Sequence, residues 1–180
     1  MTNGTLTHAQ ITSALEEAML GRGWSLRSFS RLPKVFAKES VVTPFYGVGR
    51  IHRTGDGWYG LDGYIGVVHQ EFEEQWAMRD ANHLEQPLFP CVLLIANLRE
   101  LSRAAYVKAA TLAEDMEAFA TVLDRHLSKM PHTESDLYAA FVSGSLCGRP
   151  IESFSGYSQR PKFAEFRRSV LSGLKFQFPG

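Results

Sequence analysis

The sequence predicts an α+β fold, an antiparallel sheet with a central β-hairpin packed against helices mainly from the C-terminal half. Three observations predict it. Apolar residues alternate with a period of two between Trp24 and Val67, they recur at helical spacing after Thr111, and Thr54-Gly55-Asp56-Gly57 separates two strand-like runs. The chain has 180 residues, of which 44% are hydrophobic and 21% charged, a size and balance that suit one globular core, so residues 1–180 read as a single domain.

Thr7 and Gln10 stand at capping-box spacing ahead of Ile11, Leu15 and Met19, which share one helical face, and Gly21 and Gly23 stop that helix. Strands follow, with Trp24 and Leu26, then Val35 and Ala37, then Tyr46 and Val48 alternating with polar residues. Pro33 and Pro44 fall between these runs, which predicts turn or edge positions because proline has no amide to donate to a ladder. Gly55 and Gly57 predict a tight turn between Arg53 and Trp58, since glycine accepts the positive φ that such turns need. The strand after it carries Tyr59, Leu61, Ile65 and Val67 on one face, while Gly60, Gly63 and Gly66 predict a bulge or strong twist. The apolar run Cys91 to Ile95 predicts a buried central strand.

Beyond it the pattern turns helical. Thr111 and Glu114 predict a second capping box ahead of Leu112, Met116, Phe119, Leu123 and Leu127. Thr133 with Asp136 opens a shorter helix carrying Leu137, Ala140 and Phe141, which Gly144 ends, and Pro161 opens a last one whose face is Phe163, Phe166, Val170 and Leu174.

Charge narrows the function. Nineteen basic and nineteen acidic side chains cancel, which denies the chain the broad positive field of a nucleic-acid binder, so no direct nucleic-acid partner is expected. Cys91 and Cys147 do not form a disulfide framework, and the start MTNGTLTHAQ has neither a basic head nor an apolar core, which predicts a cytoplasmic protein with no membrane partner. No histidine or cysteine pair has metal-ligand spacing, and His69 and His83 with Asp80 and Glu71 come nearest to a cluster. Gly144-Ser145-Leu146-Cys147-Gly148 lacks the nucleophile-elbow pattern, and Gly47, Gly49, Gly55 and Gly57 lie in a hairpin with no lysine-serine pair after them, which argues against a phosphate cradle. Neither a catalytic residue, a metal nor a cofactor is therefore assigned.

Acidic clustering is the feature that does point outward. Glu71, Glu73 and Glu74 lie beside Phe72 and Trp76, and Glu114, Asp115 and Glu117 fall on the outer face of the predicted helix. Such runs are either solvated faces or docking surfaces for a basic partner, with aromatic anchors close by. Tyr157, in the loop Arg149 to Tyr157, supplies a further anchor.

The layout resembles that of small bacterial immunity proteins, including those paired with contact-dependent growth inhibition toxins. The resemblance rests on a first helix ending in Met19-Leu20-Gly21-Arg22-Gly23-Trp24, the segment Lys34-Val35-Phe36-Ala37-Lys38, the run Tyr59-Gly60-Leu61-Asp62-Gly63-Tyr64-Ile65-Gly66-Val67, the stretch ending at Trp76 and the helical second half. It implies a non-enzymatic inhibitor that binds a cognate basic toxin domain, a nuclease, and blocks it without covalent chemistry. It carries over no residue role, because the shared feature is architecture alone. The alternatives are a small hydrolase-like enzyme using His69, Asp80 or His83 with Glu71, and a small-ligand-binding domain; the oligomeric state stays open.

Overall fold

A computed structural model describes residues 5–29, 32–69, 93–96, 105–143, 145–146 and 149–150. Its architecture is α+β, as the patterning predicts. The described residues form, in chain order, α1 (His8–Leu20), β1 (Ser25–Phe29), β2 (Leu32–Ala37), β3 (Val42–Arg53), β4 (Trp58–His69), β5 (Leu93–Ala96), β6 (Tyr106–Lys108), α2 (Leu112–Leu127), α3 (Glu134–Ser143), β7 (Ser145–Leu146) and β8 (Arg149–Pro150). The main sheet runs β1-β2-β3-β4-β5, with β6 also on β4, and every pairing is antiparallel. Thus β4 pairs with β3 along one side, and with β6 and then β5 along the other. β7 and β8 make a separate two-stranded ladder.

The hairpin β3–β4 is the centre of this sheet. Thr54 donates its amide to the Trp58 carbonyl at 2.8 Å, and the turn residues Gly55–Gly57 form a single 3-10 turn. Positive φ falls on Asp56 (59°) and Gly57 (76°), not on Gly55, so one of the two left-handed positions is held by an aspartate, a residue that tolerates them. A bulge interrupts the ladder between Val48 and Ile51, where three steps on β3 match two on β4 from Gly63 to Leu61. The predicted irregularity therefore lies on β3, opposite the glycine-rich strand. Both prolines lie inside strands and not between them, Pro33 in β2 and Pro44 in β3. Pro44 stands opposite Val67, one residue before β2 begins to pair at Phe45↔Ala37, so among the described strands it pairs with β4 alone, the local edge position that a missing ladder donor requires.

Helices α1 and α2 pack against each other and cover one face of the sheet. Thr7 and Gln10 make the reciprocal capping box, and Ile11, Leu15 and Met19 are fully buried. On α2 the stripe Met116, Phe119, Leu123 and Leu127 is fully buried, while Leu112 is only partly covered. The capping box expected of Thr111 and Glu114 does not form: the Thr111 hydroxyl instead donates to Asp115 Oδ2 at 2.7 Å. Thr133 and Asp136 do cap α3 reciprocally, at 3.1 and 3.2 Å. Tyr59, Leu61, Ile65 and Val67 meet the helices from β4, and the opposite face of the sheet holds a smaller apolar cluster, Val35, Ala37, Phe45 and Val68. β5 overlaps the predicted 91–95 strand and runs on to Ala96, but among the described residues it ends the strand order instead of lying at its centre; Cys91 and the helix expected after Pro161 lie outside the described residues. No helix among the described residues is long and apolar enough to cross a membrane.

Candidate binding surfaces

The three carboxylates expected on α2 have different environments. Asp115 turns back onto the strand before it, where its Oδ2 accepts from the Lys108 amide at 2.9 Å as well as from Thr111. It thereby satisfies a donor on the short strand β6 and neutralises part of the positive helix start. Glu117 is clamped by Arg22, which donates to both carboxylate oxygens, to Thr121 Oγ1 at 2.9 Å and to the Ala18 carbonyl. The Arg22 hydrogen bond holds the Glu117 carboxyl below its usual range, and the same bond raises the Arg22 guanidinium. Glu114 alone of the three faces solvent with no ion pair or hydrogen bond among the described residues. Glu71, Glu73, Glu74, Trp76 and Tyr157 lie outside the described residues, as do Asp80, His83 and Cys147.

His69 ends β4 and is fully buried. Its Nε2 lies 2.9 Å from Glu134 Oε1 in the first turn of α3, so with Glu134 ionised the imidazole donates and ties the sheet to that helix across 65 residues. A sealed imidazole engaged in this way is a structural brace. The turn between α2 and α3 forms an open pocket of about 370 Å3 whose walls include Lys129, His132 and Asp136. Its polar groups are already engaged, because Asp136 caps α3 and His132 Nε2 donates to the Leu127 carbonyl at 3.2 Å. No group of three or more His, Cys, Asp or Glu side chains among the described residues can hold a metal ion.

One surface was not anticipated from the sequence. On the sheet face opposite the helices, near the hairpin turn, His52 of β3 and Tyr106 of β6 both stand opposite Gly60 of β4. A methyl group built on Gly60 would meet the His52 ring at 2.7 Å and the Tyr106 ring at 3.3 Å, so only glycine lets the two rings close over the strand. Asp62, next on that face, brings Oδ2 to 3.4 Å from His52 Nδ1, with misaligned hydrogen-bond geometry. Trp58, on the other side of Gly60, is covered by the Lys108 ammonium, 4.1 Å from its ring centroid. Tyr106 is 44% exposed and the Asp62 side chain 56%.

The bulge explains why this surface was hidden. Without it, His52 would share the parity of Tyr46 and Val48 and face the helices; the extra residue buries Ile51 and turns His52 outward. The available signal was the even-numbered set Trp58, Gly60, Asp62 and Tyr64, which holds no aliphatic side chain opposite the core-facing residues. β6, only three residues long, gives no periodic pattern to read. No protein-family model, curated protein or solved structure matches the chain.

Proposed function

We propose that this chain is an immunity-type inhibitor: it binds a cognate toxin with a basic surface, a nuclease, and neutralises it by non-covalent blocking. The supporting observation is the solvent-facing Glu114 on α2, a helix that five fully buried side chains and the Arg22–Glu117 and Trp24–Asp124 contacts hold in place. A carboxylate on a rigid element costs little ordering when a cationic partner docks. The acidic stretch Glu71, Glu73 and Glu74 with Trp76 is the second proposed contact, and Tyr157 a further anchor.

The test is co-expression with the product of the neighbouring gene, followed by association kinetics at several salt concentrations. Glu114→Lys, and separately Glu73→Lys with Glu74→Lys, should slow association and flatten its salt dependence by removing attraction at the docking surface. Glu117→Lys is avoided because it sets two cations together at Arg22. Equal rates and equal salt slopes in both variants would remove the acidic surfaces from the reading, and failure of the two proteins to bind would remove the reading itself.

A further inference from the structure

We infer that the open sheet face around Gly60 receives an arginine side chain from a partner protein, with Asp62 as counter-ion and Tyr106 as stacking surface. This deepens the inhibitor reading and rests on it for the identity of the partner. Three observations point to a guanidinium. Asp62 is more than half exposed, and its described polar neighbour, His52 Nδ1, is 3.4 Å away in poor alignment, so the carboxylate keeps oxygens for an incoming donor. Tyr106 offers a partly exposed ring on the same trough, since both it and His52 reach over Gly60. Lys108 already sits on Trp58, which makes that ring unavailable to another cation and leaves Tyr106 as the open aromatic surface.

These positions are close enough to act together. Asp62 lies two residues along β4 from the point opposite Tyr106, about 7 Å along the strand, within reach of one guanidinium lying flat on the ring. Arginine suits this pair better than lysine, because its planar fork donates two parallel hydrogen bonds to a carboxylate while its face stacks on an aromatic ring. Nucleobases fit less well, since the chain carries no net positive charge and the Trp58 face is occupied.

The experiment uses the full chain and two defined probes, acetyl-Gly-Arg-Gly-amide and its lysine counterpart, titrated at low salt while backbone amide shifts are recorded by NMR. The arginine peptide should give saturable shifts centred on Gly60, Asp62 and Tyr106, with the lysine peptide weaker by about threefold or more. Asp62→Asn and Tyr106→Leu should each weaken binding by a similar factor while the amide shifts of Ile65 and Phe119 stay in place. Glu114→Gln should leave binding unchanged. Absence of saturable shifts, equal response to both peptides, or undiminished binding in both Asp62→Asn and Tyr106→Leu would overturn the site. The titration does not use the toxin, so the two ideas fail separately. Peptide binding without binding of the neighbouring gene's product keeps the site and discards the inhibitor, and the reverse keeps the inhibitor and discards the site.

Discussion

Tyr46 illustrates how a single residue is held between packing and polarity. Its ring lies edge-on to Phe119 of α2 at 5.7 Å and covers Gly63, whose missing side chain makes the space, because a methyl group there would come within 2.2 Å of the phenol oxygen. The hydroxyl itself is buried with no hydrogen-bond partner among the described residues. Burial first, then the nearby charges of Asp62 and Tyr64, raise its pKa well above the ordinary phenol value of 10.0. Since the folded state holds this proton more tightly than the unfolded one, the stabilisation is fully present below pH 10 and is lost as pH climbs towards the folded-state pKa. Tyr46→Phe should therefore be neutral or stabilising by about 1 kcal/mol at pH 7, because it removes an unpaired polar atom from the core. In urea unfolding at pH 9 to 11, the variant should also lose less stability with rising pH than the wild type; equal slopes would show that the phenol does not titrate on unfolding.

At the scale of elements, α2 and the hairpin answer to different forces. α2 depends on its buried stripe, and Leu123→Ala should cost about 2–5 kcal/mol in denaturant unfolding, against less than about 0.5 kcal/mol for a surface position. The hairpin depends on backbone geometry at its turn. Gly57 holds φ at 76°, so Gly57→Ala should cost about 1–2 kcal/mol, whereas Gly55→Ala should cost little, with no positive φ and open space around it. Comparable losses at the two glycines would contradict the turn described. The stripe and the turn were both legible in the sequence, since a helical period and a glycine pair are local signals. The Thr111–Glu114 box was misread because Asp115 is recruited by the Lys108 amide, a contact set by where β6 runs.

Across the whole molecule, contacts between distant segments join the sheet to its helices. Trp24, just before β1, donates Nε1 to Asp124 Oδ1 at 2.6 Å, and Arg22 clamps Glu117; these are links across about a hundred residues of chain. The first is partly buried and the second exposed, so they should differ in energy. Trp24→Phe should cost about 1–3 kcal/mol through a lost hydrogen bond to a carboxylate and lost ring volume, and Glu117→Gln, which breaks an ion pair screened by solvent, should cost less than that. A reversed order in urea unfolding would show that the exposed clamp carries more of the association of α1 with α2 than solvent screening allows. The sequence by itself determined the α+β class, the hairpin and the stripes of α1 and α2, because each is encoded by periodicity or turn chemistry within a few residues. Tertiary structure alone decided that Glu117 is neutralised by Arg22, that His69 is sealed against Glu134, and that His52, Asp62 and Tyr106 meet over Gly60. The physical reason is register: a one-residue bulge in β3 and a three-residue strand bring together side chains from three separate segments, and no local pattern encodes which face each one takes.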